Sequence, residues 1–157
     1  MDADERWMQR AIEIARRGIA AGQSPFGAVV TRGDELVAEA HNAVIAETDP
    51  TSHAEVRAIR AASRALGTID LSECVLYSTC EPCPMCFGAI HWARIGLVVY
   101  GTSIADAKRA GFNELPVSNE TLKRLGRSRI GLSGGFLRPE CLDLFKRWKA
   151  SPKKRRY

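Results

Sequence analysis

Apolar positions follow a helical period at the start of the chain and form short runs beyond it. Over residues 3–21 they recur close to every 3.6 residues, which predicts an amphipathic helix that ends near Gly22 and Pro25. The apolar runs at residues 26–30 and 36–40 predict two strands. An Arg-Gly-Asp-Glu turn lies between these runs, so we expect the strands to form a hairpin.

Helical and strand patterns alternate through the rest of the chain. We expect strands over residues 74–79, 96–100 and 130–133, and helices over residues 53–65, 84–93, 104–110, 118–125 and 139–149. This alternation indicates an α/β sandwich around one sheet of about five strands, and the hairpin makes the sheet mixed. No repeat or linker interrupts the pattern, so residues 1–157 are interpreted as a single domain.

Composition narrows the class of protein. The 157 residues are 45% hydrophobic and 26% charged, which is typical of one globular domain. No apolar run approaches the ~18 residues of a membrane span, so we expect no membrane partner. The first six residues lack the basic and then apolar pattern of a signal peptide, which favours a cytoplasmic protein.

The net charge of +5 is concentrated at the end of the chain. Seven basic and no acidic residues lie within residues 146–157, here called the basic tail, whereas the other 145 residues carry 16 basic and 18 acidic side chains. Two interpretations of the basic tail stay open, a solvated end and a binding surface.

Cysteine usage points to metal or redox chemistry. Five cysteines occur, at Cys74, Cys80, Cys83, Cys86 and Cys141. Their odd number, the clustering of three within seven positions and the expected cytoplasmic setting argue against a disulfide framework.

Two short motifs at predicted helix starts have the pattern of a zinc site. Cys83 and Cys86 are three residues apart, so on a helix they share one face. Pro84 suits the first helical position and places Cys83 at the N-cap, where free N–H groups and the helix dipole favour the thiolate that zinc requires. His53 lies in the first turn of its own predicted helix. Two facing helix starts can therefore supply one His and two Cys ligands.

Three protein ligands leave the fourth position of a tetrahedral zinc ion to water, as in catalytic sites. Zinc lowers the pKa of that water to about 7, which gives hydroxide at neutral pH. Glu55 does not fit as a ligand on the same face as His53, but it can take the proton of the water. Taken separately, the motifs have other interpretations: the stretch from Ser52 to Glu55 fits a capping box, and a C-x-x-C pair also occurs in redox sites.

Together, His-x-Glu followed by Pro-Cys-x-x-Cys resembles the cytidine deaminase-like superfamily. Residues 42–55 and 80–86 are similar to the branch that contains bacterial guanine deaminases and tRNA adenosine deaminases, and the similarity covers nearly the whole chain. The resemblance implies a three-layer α/β/α sandwich, one tightly bound Zn²⁺ per chain and a homodimer. It also implies hydrolytic removal of an exocyclic amino group as ammonia.

The same resemblance implies roles for individual residues. His53, Cys83 and Cys86 would bind zinc, and Glu55 would carry protons between the water and the base. Glu114 matches a carboxylate that assists proton transfer to the leaving amine. Contacts to the substrate are expected from Phe26, Asn42, Ala54, Trp92, Phe112 and Tyr157.

The resemblance favours guanine as the substrate. Residues 24–29, 90–94 and 108–114 look like guanine deaminases, and so does the Lys-Lys-Arg-Arg-Tyr ending, whose terminal tyrosine folds over the substrate site in that branch. Residues 115–141 are instead similar to tRNA adenosine deaminases, which argues against an exchange of C-terminal segments between subunits.

Other functions stay open at this point. The alternative is a tRNA-specific adenosine deaminase that acts on a flipped-out wobble base, with tRNA as its partner. Guanosine, cytosine or an amino-triazine could also serve as substrate for the same fold. A non-catalytic zinc module that binds nucleic acid would give Glu55 no role, and a thiol–disulfide enzyme would leave His53 unused as well. The sequence assigns no role to His41, His91, Cys74, Cys80 or Cys141.

Overall fold

A computed structural model describes all 157 residues, and its elements follow the predicted order. The helices are α1 (Ala3–Ala20), α2 (Val44–Glu47), α3 (Ala54–Leu66), α4 (Pro84–Trp92), α5 (Ile104–Arg109), α6 (Asn119–Gly126) and α7 (Arg138–Ala150). The strands are β1 (Gly27–Arg32), β2 (Glu35–His41), β3 (Cys74–Cys80), β4 (Leu97–Thr102) and β5 (Gly131–Ser133). Only the four-residue helix α2 was not predicted. No helix combines the length and the apolar character that crossing a membrane requires.

The five strands form one mixed sheet in the order β2-β1-β3-β4-β5. Strand β1 pairs antiparallel with β2, as the hairpin predicts, and antiparallel with β3. Strands β3, β4 and β5 run parallel to one another, because α4 and the α5–α6 segment cross over between them. The mixed five-stranded sheet is thereby confirmed.

Helices cover both faces of the sheet, which gives the three layers. Along β1 the side chains alternate: Val29 lies in one core cluster, and Ala28 and Val30 lie in the other. The first cluster packs α1, α5 and α7 against the sheet, and the second packs α3 and α4 against the opposite face. The α/β/α sandwich that the sequence predicted is therefore present.

Loops at one end of the strands bring the predicted site residues together. Strands β3 and β4 end side by side, with Cys80 paired to Thr102, and β1 begins at the same edge because it runs antiparallel to β3. Gly27 opens β1 where the backbone of α1 is so close that any side chain would collide with Ala11. Four parts of the chain thus meet where the parallel strands end, namely residues 26, 42, 80–83 and 103–114. This is the usual location for a ligand site in open α/β sheets.

Candidate active site

Three side chains from two helix starts converge on one point. The ligand atoms of His53, Cys83 and Cys86 all lie within 4.8 Å of one another. The His53 Nδ1 atom is 3.5 Å from the Sγ atom of Cys83 and 3.6 Å from that of Cys86. No other cluster of three such groups forms in the molecule.

These distances fit a tetrahedral zinc ion. With Zn–S near 2.3 Å, Zn–N of 2.0–2.1 Å and tetrahedral angles, nitrogen and sulfur ligands are about 3.6 Å apart. The two observed N···S separations are 3.5 and 3.6 Å. A thiolate pair with one imidazole is also a donor set that zinc prefers. The three residues can hold the ion, and the pocket described below adjoins them.

The local sequence explains why the ligands face inward. Cys83 is the N-cap of α4 with Pro84 in the first turn, as predicted. The backbone of Cys83 is extended, and its side chain does not cap the helix. His53 is the N-cap of α3, one position earlier than the predicted first turn, and also makes no side-chain cap. Interaction with the Cys86 thiol, and then with His53, lowers the pKa of Cys83 to about 4, so this thiolate forms readily.

Glu55 occupies the buried side of the metal cluster. It is only 6% exposed, and burial together with the negative charge of Cys83 raises its pKa to about 7. The capping-box interpretation is wrong. The N-cap of α3 is His53 rather than Ser52, and no side chain caps this helix. The Ser52 hydroxyl instead hydrogen-bonds the carboxylates of Glu47 and Asp49. The Glu55 carboxyl therefore faces the pocket and can gain or lose a proton near neutral pH.

A cavity of about 220 Å³ opens beside the metal cluster. Its wall combines aromatic rings, carboxylates and ligand residues, namely Phe26, Asn42, Pro50, His53, Glu55, Cys80, Glu81, Cys83, Phe112, Asn113, Glu114 and Tyr157. Phe26 and Phe112 pack edge-on, with ring centroids 5.0 Å apart. The pocket can therefore stack a flat aromatic ligand and offer it several polar contacts.

Asn42 places an amide in this pocket. It is 1% exposed, and its Oδ1 atom accepts a hydrogen bond of 3.1 Å from the backbone N–H of Val44, which fixes the side chain. Its Nδ2 atom donates to the hydroxyl of Tyr157 at 2.7 Å. The Tyr157 ring also lies 6.1 Å from the ring of Phe112, centroid to centroid. The last residue of the chain thus closes its own pocket.

Basic residues near the end of the chain hold this segment in place. Lys153 donates from Nζ to the carbonyl of Ala20 at 3.1 Å, and Lys154 donates to that of Lys149 at 2.9 Å. Both carbonyls lie in the last turn of a helix, α1 and α7 respectively, where the helix dipole favours a cation. Two lysines of the basic tail therefore form hydrogen bonds within the chain.

Glu114 enters the pocket from the loop that follows α5. Burial raises the pKa of its carboxyl, and the negative charge of Cys83 adds to the shift. The group therefore holds a proton more readily than an exposed glutamate does. Its neighbour Asn113 also lines the cavity.

Two of the residues expected to contact substrate do not line the pocket. Trp92 ends α4, about 12 Å along the helix axis from Pro84, and is 81% exposed. The metal-ligating Cys83 and Cys86 lie at the start of α4, whereas Trp92 lies at its far end, so contact between Trp92 and substrate stays a prediction. Ala54 is fully buried in the core behind His53, so its side chain does not reach the cavity.

Sequence reasoning missed four lining residues, Pro50, Cys80, Glu81 and Asn113. All four lie within or next to the sequence motifs described above, so their proximity in sequence to the predicted site residues could have indicated them. His41 bonds the carbonyl of Asn42 through Nδ1 at 2.8 Å, and His91 is exposed on α4. Cys74 and Cys141 are buried free thiols outside the pocket.

Comparison with known proteins agrees with this geometry. Residues 1–102 match the family model of the cytidine and deoxycytidylate deaminase zinc-binding region. The chain is similar to guanine deaminase from Bacillus subtilis, with 41% identity over 154 residues and 98% of each chain covered. It is also similar to tRNA-specific adenosine deaminase from Bacillus subtilis, with 43% identity over 101 residues that cover 64% of this chain and 63% of the relative. The solved structure of guanine deaminase from Nitrosomonas europaea superposes with a TM-score of 0.84 at 32% identity and covers 92% of this chain and 83% of that one.

Proposed function

We propose that this chain, which belongs to the cytidine and deoxycytidylate deaminase family, hydrolyses guanine to xanthine and ammonia. Family membership makes it a zinc-binding hydrolase that acts on a carbon–nitrogen bond. The choice of guanine is the proposal, and residues 1–157 act as one catalytic domain.

The size and closure of the pocket carry this proposal. A cavity of about 220 Å³ is smaller than the roughly 300–1,000 Å³ of sites for drug-sized ligands. Tyr157 closes it through the hydrogen bond with Asn42. A free base fits a cavity of this size with Tyr157 in place, whereas a ribose or an RNA loop would need Tyr157 to move away from the base.

The metal-ligand residues and two carboxylates of the pocket have tasks in this reaction. His53, Cys83 and Cys86 would hold the zinc ion, which would supply a bound water of pKa about 7 as the nucleophile. Glu55 accepts a proton from that water and delivers it to a ring nitrogen of the base. Glu114 would then give a proton to the amine and regain one from the new hydroxyl group on the ring carbon, so that the carbon–nitrogen bond breaks, a carbonyl forms and ammonia leaves.

Substrate binding is assigned to the amide and the aromatic rings. The Nδ2 group of Asn42 is a donor to a ring carbonyl or nitrogen, and the Val44 N–H holds the amide in this orientation. Phe26 and Phe112 contact the faces and edges of the base. Tyr157 covers the pocket after the base has entered.

We further propose that two chains form a homodimer through α4. The helix leaves Met85 and Trp92 exposed, at 38% and 81%, and the half-exposed Gly88 and Ala89 lie between them on the same face. Gly88, Ala89 and Trp92 lie three, four and seven positions after Met85, and this spacing makes a continuous apolar stripe with small residues at its centre. A second copy of α4 would bury Trp92, which accounts for its exposure in one chain.

We propose a cytoplasmic location and a role in purine metabolism. All five cysteines are free thiols, and a site with two thiolate ligands suits a reducing compartment. The conversion of guanine to xanthine removes a purine amino group, which is a step of base breakdown or salvage.

Wobble adenosine deamination in tRNA is the second candidate. It is favoured by the exposed Arg155 and Arg156, which lie next to Tyr157 at the pocket and could contact phosphates. In this case the C-terminal residues would open rather than close the site when the RNA binds.

Ammonia release from a substrate panel tests the proposal. The panel contains guanine, guanosine, adenine, cytosine, cytidine, an amino-triazine and tRNA, at equal enzyme and zinc concentrations. We expect guanine to give the highest kcat/KM. A chain that deaminates only tRNA would overturn the assignment, and Asn42→Ala provides a variant that should lose turnover while keeping its zinc.

A further inference from the structure

Glu81 is a buried carboxylate that the proposed reaction does not use. It follows β3, is 7% exposed and lies two residues before Cys83. Its Oε1 atom accepts a hydrogen bond of 3.0 Å from the N–H of Ile104, and its Oε2 atom accepts one of 2.8 Å from the N–H of Asn119. These N–H groups open α5 and α6, so one carboxylate joins the starts of two helices.

Asn119 completes a second link to the same segment. It is fully buried, and its Nδ2 atom donates to the carbonyl of Pro82 at 2.7 Å. Its Oδ1 atom has no partner, so the bond to Pro82 is the only hydrogen bond of this side chain. Glu81 and Asn119 therefore hold residues 81–82 from both sides, and we call this pair the clamp.

The clamp acts on the chain just before a metal ligand. Cys83 has no cap that restrains its side chain, and its position depends on the preceding peptide units and on the first turn of α4. Both oxygens of Glu81 are satisfied by N–H groups at helix N-termini, where a negative charge is favoured. The Glu81 side chain thus stays buried with both oxygens hydrogen-bonded, and neither oxygen bonds a metal-ligating side chain.

We propose that Glu81 and Asn119 are positioning residues that preset Cys83 for metal binding. Groups behind metal ligands commonly change metal affinity by 10- to 100-fold when they are removed. The clamp differs from such groups because it fixes the backbone ahead of the ligand. This inference rests on the metal-binding part of the proposed function and is independent of which base is deaminated.

Asn119→Ala tests the clamp, with Ser118→Ala as the matched control. Ser118 is the N-cap of the same helix, and its Oγ atom accepts from the N–H of Thr121 at 3.1 Å without contacting Pro82. Zinc affinity of the full chain is measured by competition with a chromogenic chelator at pH 7.5. We expect Asn119→Ala to bind zinc at least tenfold more weakly, and Ser118→Ala to stay within about twofold of the parent chain.

Two further variants keep the test decisive. Asn119→Ser retains a polar group at the helix start, but its hydroxyl is too short to reach Pro82, so zinc binding should weaken in the same way. Glu81→Gln loses one of the two acceptors and should act in the same direction. Equal zinc affinity in the Asn119 variants and in Ser118→Ala would overturn the proposal. Zinc affinity is read without substrate, so failure of the chain to deaminate guanine would leave this outcome unaffected.

Discussion

Replacing Asp106 with alanine should destabilise the whole domain while leaving the pocket residues in place. The Asp106 side chain is 2% exposed and forms a capping box with Ser103 at the start of α5. It also accepts bonds of 3.1 and 2.8 Å from Nε and Nη2 of Arg138, which begins α7, and it pairs with Arg109. One carboxylate therefore connects the two helices that precede the Glu114 loop and the chain end.

The expected loss of stability is obtained from these contacts. The cap is worth about 1 kcal/mol. The two-point pair with Arg138 adds on the order of 1 kcal/mol, since that arginine is 46% exposed and partly screened. The pair with Arg109, which is 69% exposed, adds only a few tenths of a kcal/mol. We therefore expect Asp106→Ala to lower the free energy of unfolding by roughly 2–3 kcal/mol at pH 7.

The effect should depend on pH in a definite direction. Burial opposes ionisation, but hydrogen bonds from Arg138 and Ser103 outweigh it and hold the pKa of Asp106 well below its usual value. A depressed folded-state pKa adds stability above the unfolded-state pKa, about 3.9, and this stability is lost as the pH falls through that value and below it. The difference between the parent chain and Asp106→Ala should therefore shrink by about 1 kcal/mol between pH 7 and pH 3.

Urea unfolding at 25 °C, followed by circular dichroism at both pH values, measures this difference. Asp143→Ala is the matched control, because Asp143 makes only an exposed pair with Arg147 on α7 and should change stability by less than about 0.5 kcal/mol. An Asp106→Ala effect no larger than the control, or one that grows as the pH falls, would refute the reasoning.

Three further changes address the site itself, and a fourth addresses the proposed dimer. Glu55→Gln should keep about one zinc per chain by metal analysis but lower kcat for guanine by about 10²- to 10⁴-fold, and near-normal turnover would remove its proton-transfer role. Tyr157→Phe loses the bond to Asn42 and should raise KM for guanine by about 3- to 10-fold. Deleting residues 153–157 should have a larger effect on guanine turnover, whereas loss of tRNA affinity alone would favour the RNA function. Trp92→Lys should convert the proposed dimer to monomer by analytical ultracentrifugation, and an unchanged sedimentation coefficient would contradict the proposed α4 interface.

Local signals explain why the metal site could be predicted from the sequence. Cys83, Pro84 and Cys86 lie within one helical turn, and the proline marks the helix start, so spacing alone sets their geometry. His53 is 30 residues away from Cys83, but it opens a helix in its own right, and parallel strand ends bring such starts together.

Other features depend on contacts that spacing does not determine. The bond between Asn119 and Pro82 spans 37 residues, and no local pattern links them. Helix α2 has four residues and no side-chain cap, so it gives too short a periodic signal. The location of Trp92 outside the cavity could not be predicted, because the resemblance indicates a site residue without giving the direction in which α4 leaves the metal ligands.

A competition assay tests the central claim most directly. The zinc-loaded chain receives guanine and an anticodon-loop RNA with a wobble adenosine in the same tube, and xanthine and inosine are quantified by chromatography over time. The ratio of the two initial rates, corrected for concentration, is the ratio of the kcat/KM values. The pocket that Tyr157 closes predicts that xanthine accumulates while the RNA stays unmodified. Inosine formation without xanthine would contradict the account.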